Sequence, residues 1–187
     1  QIQTNLITGA LEAGVKELCF MGSSCVYPKK SPQPITEGAL LTSSLEATNE
    51  PYAIAKITGI KMCDYISKQF GLSYFSVMPT NLYGKNDNYD LRSSHVLPAL
   101  IRKVHEAKLS GRDSVTVWGS GTPRREFLYV DDLAEACIFL LESGVNRGIY
   151  NVGVGVDITI ADLAKKITQI IGFKGDIIYD TEKPDGT

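Results

Sequence analysis

The sequence is poor in the features that mark metal sites, secreted scaffolds and membrane proteins. It has two histidines, one tryptophan and four cysteines in 187 residues, and no two cysteines form a C-x-x-C pair. That spacing offers no zinc motif, and no metal is expected. A chain of this size needs no disulfide framework, so Cys19, Cys25, Cys63 and Cys137 read as reduced thiols of a soluble cytoplasmic protein. No apolar run approaches the ~18 residues of a membrane span, and no signal-peptide pattern opens the chain. With a formal net charge of -2, the chain lacks the excess positive charge of a general nucleic-acid binder, so neither nucleic acid nor membrane is expected as a partner.

What is present is a globular composition, 43% hydrophobic and 21% charged, sufficient for a core. Ile2, Leu6, Ile7, Ala10 and Leu11 predict an amphipathic helix over residues 1–13, already in mid-course at Gln1. Residues 15–21 read as a buried strand, and Pro28, Pro32 and Pro34 punctuate a loop over residues 22–49. A helix then starts with Asn49 as N-cap and Pro51 in its first turn, and stops at Gly71. A strand over residues 73–78 follows. This alternation predicts an α/β fold, a parallel sheet with helices on its faces.

Beyond residue 90 the pattern changes. Helices are expected over residues 95–109, 131–142 and 159–171, strands over 148–152 and 176–179, and short segments at 116–118 and 127–130. Thr159-Ile-Ala-Asp162 reads as a helix cap. Two domains are expected, residues 1–90 and residues 91–187, with some elements of the second returning to the first sheet. The chain reads as a piece of a longer one.

Tyr52-Ala-Ile-Ala-Lys56 places a phenol and an ammonium on one helix face. A nearby cation favours phenolate, and such a tyrosine can give a proton to a carbonyl oxygen as hydride reaches its carbon. Alone the spacing is common on exposed helices. Here the helix leaves a loop that begins at a strand end, Gly22-Ser23-Ser24, where open parallel sheets place ligands. A hydroxyl there can bond the same carbonyl.

Five blocks then carry a resemblance. Gly22-Ser-Ser-Cys-Val-Tyr-Pro28, Asn49-Glu-Pro-Tyr-Ala-Ile-Ala-Lys56 and Met78-Pro-Thr-Asn-Leu-Tyr-Gly84 come first. Ser94-His-Val-Leu-Pro98 and Val117-Trp-Gly-Ser-Gly-Thr-Pro-Arg-Arg-Glu-Phe127 follow in order. Together they resemble the GDP-L-fucose synthases, a family of extended short-chain dehydrogenases/reductases. The resemblance implies the C-terminal part of a Rossmann-type doubly wound sheet plus a smaller α/β substrate-binding domain. It implies NADPH as cofactor and GDP-4-keto-6-deoxy-D-mannose as substrate, epimerised at C3 and C5 and then reduced at C4. A homodimer is implied, built from the Tyr52 helix and the helix before Val15.

By this resemblance Ser23, Tyr52 and Lys56 form the reduction triad, and Cys25 with His95 the epimerisation pair. The physical logic is independent: a C4 ketone acidifies the protons on both neighbouring carbons, and inversion needs a base on one face and an acid on the other. A thiol and an imidazole meet that need. Taken singly, Cys25 reads as a small buried residue and His95 as a helix-cap neighbour or polar surface; His105 matches no block. Met21, Gly22, Ser23, Ser24 and Lys56 match segments that line NADP in the family. So do Pro79, Thr80, Asn81, Leu82 and His95. Trp118 and Arg125 match GDP-sugar contacts, as does Lys103, where the family usually carries arginine. Lysine offers a point charge instead of a bidentate fork, and Arg102 is the alternative. Seven basic residues lie between Arg92 and Arg125 against Glu106 and Asp113, which suits a diphosphate or, equally, a solvated helix face.

One part of the implied machinery is missing. A dinucleotide fold seats its pyrophosphate on a glycine-rich turn between strand and helix. Gly153-Val-Gly155 lacks a third glycine, and Gly119-Ser-Gly121 precedes no helix and reads as a turn. The glycine loop and first strands are expected upstream of Gln1, so the chain alone should bind NADPH poorly. Two other readings stay open. One is another nucleotide-sugar epimerase, reductase or dehydratase of the superfamily; the other is a non-catalytic NADP-sensing protein on the same fold.

Overall fold

The computed structural model describes residues 1–183 and residue 185; Pro184, Gly186 and Thr187, assigned above to the second domain, lie outside the described residues. Two compact units emerge, Gln1–Thr80 with Val130–Gly153, and Asn81–Tyr129 with Val154–Thr187. The chain enters the first with α1 (Ile2–Glu12), β1 (Glu17–Met21), α2 (Glu50–Phe70) and β2 (Ser73–Pro79). It builds the second with β3 (Asn81–Tyr83), α3 (Val96–Leu109), β4 (Ser114–Trp118) and β5 (Arg124–Tyr129). It returns to the first with α4 (Val130–Glu142) and β6 (Arg147–Val152). It then finishes the second with β7 (Asp157–Thr159), α5 (Ile160–Ile171) and β8 (Asp176–Asp180).

In the first unit β1 and β6 flank β2, all parallel, with Met21 opposite Val77 and Pro79 opposite Val152. β2 is buried from Tyr74 to Pro79, as a central parallel strand covered on both faces should be. β1 departs from the expected buried strand: only Phe20 is fully buried, and Glu17 and Met21 are exposed. It pairs with β2 alone among the described residues, so its other edge is open. Strand alternation sends Phe20 towards α2, and Cys19 and Met21 towards Cys137 on α4. Helices therefore cover both faces, and the doubly wound α/β architecture is realised. Ile7, Phe20, Ile57, Ile60, Tyr74 and Met78 form the core on the α1–α2 side.

The ends of α2 follow its sequence. Pro51 needs no hydrogen-bond partner in the first turn, and Gly71 closes the helix at φ 68°. Asn49 holds the N-cap position, but its side chain makes no cap bond; instead its N–H donates to Glu46 Oε2 at 3.0 Å.

In the second unit β3 runs parallel to β5, β7 antiparallel to β5, and β4 parallel to β8. The three-residue strands β3 and β7 were not expected from sequence. α3 and α5 pack together around Leu100, Val104, Val117, Leu163, Ile167 and Phe173. Thr159 caps α5 as read: its Oγ1 accepts from the Asp162 N–H at 3.0 Å and lies 2.7 Å from Asp162 Oδ2. Among the described residues no helix is long and apolar enough to cross a membrane.

Candidate active site

β1 ends at Met21, and the chain turns tightly against β2. The Gly22 N–H donates to Val77 O at 2.8 Å. A Cβ at Gly22 would lie 2.6 Å from Met78 Sδ and 2.9 Å from Val77 O, so this approach requires glycine. Ser23 then caps the short 3-10 turn Ser24–Val26, its Oγ accepting from the Cys25 N–H at 3.2 Å. The turn packs on α2 and leaves Cys25 exposed, contrary to its reading as a small buried residue.

Tyr52 and Lys56 sit one turn apart on α2, and Lys56 reaches back to the strand end. Its Nζ donates to Met21 O at 2.7 Å, and lies 5.4 Å from the Phe20 ring centroid and 5.8 Å from that of Tyr52. Burial holds the Lys56 ammonium below the usual lysine range. Tyr52 remains 47% exposed, open to a ligand. The structure thus brings Met21, Tyr52 and Lys56 together, with Ser23 and Cys25 next along the chain.

The loop that carries Cys25 is tied down by a residue the sequence did not single out. Asn151, at the end of β6, accepts from Tyr27 Oη at 2.5 Å and donates from Nδ2 to Ile35 O at 2.9 Å. Its N–H donates to Glu37 Oε1 at 2.8 Å. Burial, then the Glu37 carboxylate, pushes the Tyr27 phenol up to about 12. These partners are more than a hundred residues apart in sequence, and no local spacing announces them. Pro79, the last residue of β2, is buried, and just beyond it the Thr80 hydroxyl is buried with no partner among the described residues.

Two other thiols of this unit are raised by burial. Cys63, on the buried face of α2, is pushed up to about 11 by burial. Cys19 is pushed up to about 12 by burial and by the neighbouring Cys137 thiol.

Asn81, Leu82, His95, Lys103, Trp118 and Arg125 belong to the second unit. His95 is the N-cap of α3 and exposed, its side chain making no cap bond. Lys103 Nζ donates to Thr116 O at 3.3 Å and lies 4.9 Å from the Trp118 ring, with Lys183 Nζ at 5.8 Å. Burial lowers the Lys103 ammonium as well. Trp118 is 60% exposed. Arg102 instead pairs with Glu106 at 2.7 Å and donates to Tyr89 O at 2.9 Å. Lys103, and not its neighbour, therefore meets Trp118. Arg92 and Arg124 are likewise paired, with Asp90 and Asp157. The Arg125 guanidinium donates to Arg124 O at 2.7 Å.

A doubly wound parallel sheet with a Tyr-x-x-x-Lys helix beside a glycine turn at its strand ends defines a protein of the Rossmann type. The chain belongs to the NAD dependent epimerase/dehydratase family, whose model matches residues 1–153. It is 57% identical over 187 residues to GDP-L-fucose synthase 1 of Arabidopsis thaliana, covering all of this chain and 58% of the relative. It is 50% identical over 195 residues to GDP-L-fucose synthase of Escherichia coli, covering all of this chain and 61% of that protein. Among solved structures, a GDP-L-fucose synthetase from Naegleria fowleri bound to NADP superposes with a TM-score of 0.88 at 32% identity. That match covers 99% of this chain and 60% of the other. The chain thus spans about three fifths of the length of these relatives.

Proposed function

We propose that these residues belong to an NADPH-dependent enzyme that converts GDP-4-keto-6-deoxy-D-mannose to GDP-L-fucose. In this reading the intact protein is a cytoplasmic homodimer joined through α1 and α2. The observation that carries the reading is Lys56 seated on the Met21 carbonyl beside an open Tyr52, at the end of a parallel strand. The cofactor fits the donor set of this strand end. Lys56 supplies a cation, and the unpartnered Thr80 hydroxyl supplies a hydrogen-bonding group for a ribose or amide. NADPH, when bound, supplies the hydride that reduces C4.

The chain's own residues handle the protons. Tyr52 gives its proton to the C4 oxygen, and the Ser23 hydroxyl bonds the same oxygen. The Lys56 ammonium stabilises the charge left on the phenol oxygen. During epimerisation Cys25 and His95 remove and return protons at C3 and C5, and Tyr52 steadies the enolate oxygen. Lys103, Trp118 and Arg125 hold the GDP-sugar, the exposed indole offering an apolar surface and the lysine a point charge near phosphate.

The test uses the longer protein containing this sequence. It should consume NADPH with the keto-sugar and move solvent deuterium into C3 and C5. Tyr52→Phe should lower reduction by about a hundred- to ten-thousand-fold. Cys25→Ser should abolish exchange. Undiminished reduction in the first variant removes Tyr52 from the chemistry, and unchanged exchange in the second removes Cys25. A product inverted at neither carbon points to another nucleotide-sugar enzyme, and NADP binding without turnover to a sensor. The 187-residue chain alone should bind NADPH poorly; measurable turnover by it would refute that.

A further inference from the structure

The catalytic reading uses Cys25 and leaves three other sulfur atoms gathered on the opposite face of β1. Cys19 and Met21 are two residues apart on that strand and point to the same face. Between them α4 places Cys137, whose thiol neighbours Cys19 and lies 4.0 Å, sulfur to sulfur, from Met21 Sδ. Among the described residues no group of three or more His, Cys, Asp or Glu could hold a metal ion. The cluster is a different donor set, two thiols and a thioether with no oxygen or nitrogen.

We infer that Cys19, Cys137 and Met21 form a binding site for a soft monovalent cation, Cu(I) or its redox-inert analogue Ag(I). Thiolate with thioether is a soft donor set that suits Cu(I); Zn²⁺ also takes thiolates but closes four-coordinate sites, and this cluster supplies three sulfurs. The spacing suits three-coordinate geometry. Metal–thiolate bonds of about 2.3 Å at 120° separate the sulfurs by about 4.0 Å, the distance already found between Cys137 and Met21. Met21, on a flexible unbranched side chain, can close the third edge without moving the strand. Each coordinating thiol releases its proton to solvent, leaving a complex of one negative charge. Lys56, held at 2.7 Å on the carbonyl of Met21, places a cation behind one ligand residue. Cys137 and Met21 are reached from solvent, so the ion has a path in.

The experiment is an anaerobic titration of the 187-residue chain with Cu(I) against a chromophoric Cu(I) chelator. Stoichiometry comes from native mass spectrometry and ligand type from X-ray absorption. One ion per chain with two or three sulfur scatterers and no nitrogen is the expected result. Changes in outer-shell groups alone cost about 10–100-fold in metal affinity, so Cys137→Ser, which removes a ligand, should exceed that loss. Met21→Leu keeps the volume and should also weaken binding, while Cys25→Ser should not. Circular dichroism of each variant separates ligand loss from unfolding. Unchanged affinity in Cys137→Ser, equal loss in Cys25→Ser, or a nitrogen shell overturns the assignment. The site meets the catalytic reading at Met21, whose backbone carbonyl holds Lys56, but it uses the Met21 sulfur; metal binding and turnover are read separately, and neither result decides the other.

Discussion

Gly59 lies in the middle of α2, facing the Phe20 ring, and its replacement by alanine sets two opposed effects against each other. A Cβ there would sit 2.3 Å from Phe20 Cζ, and 2.7 Å and 2.9 Å from the two Cε atoms. Non-bonded carbons rest at about 3.5–4.0 Å, so the overlap exceeds about 1 Å at the ring edge. Alanine gains about 1 kcal/mol over glycine in a helix interior. Overpacking a core position costs about 1–3 kcal/mol. Phe20 is buried and carries Lys56 above its ring, so it cannot swing out of the way. The upper part of that range applies, and Gly59→Ala should lose about 1–2 kcal/mol net. Urea denaturation followed by circular dichroism measures the change. In a Phe20→Leu background the clash is gone, and Gly59→Ala should become neutral or stabilising, a coupling read directly from the double-mutant cycle. A wild-type background in which Gly59→Ala gains stability would refute the close approach of α2 to β1.

Two further outcomes follow from the titrating groups. The Tyr27 phenol, raised by burial to about 12 from 10.0, keeps its proton in the fold longer than in the unfolded chain. Its contribution is therefore complete below pH 10 and lost as pH rises to about 12. The loss is on the order of 1–3 kcal/mol, and Tyr27→Phe escapes it. The stability gap between wild type and Tyr27→Phe should narrow across that window, and a constant gap in urea midpoints would count against the burial argument. Among the thiols, Cys25 is exposed while burial raises Cys19 and Cys63. Iodoacetamide at pH 8 should therefore modify Cys25 at least about tenfold faster, as read by peptide mass spectrometry; equal rates would contradict the exposed turn.

Local signals in the sequence carried the helices. Pro51 and Gly71 bounded α2, and Thr159 with Asp162 marked the start of α5, because caps are satisfied within a few residues. The alternation of helix and strand carried the parallel sheet. β3 and β7 were invisible because three residues show no period, and β7 exists through its pairing with a strand some 30 residues earlier. The candidate site divides the same way. Spacing alone put Tyr52 and Lys56 on one face. The seat of Lys56 on Met21 O, the clamp of Asn151 on Tyr27, and the choice of Lys103 over Arg102 all depend on packing between distant segments. Adjacent residues on α3 differ by a rotation of about 100°, and only the position of β4 decides which one faces it.

The order in which the chain supplies its strands has a consequence during synthesis. β2 is complete at Pro79, but its second neighbour, β6, begins at Arg147, roughly 70 residues later. At about 5–20 residues per second, the most apolar strand of the sheet waits roughly 4–14 s on the ribosome with one edge open. For that interval Tyr74 to Pro79 is a template for any strand that arrives first. The interleaving that lets two units share one chain therefore leaves an apolar strand edge exposed during synthesis, the kind of edge that is prone to aggregate.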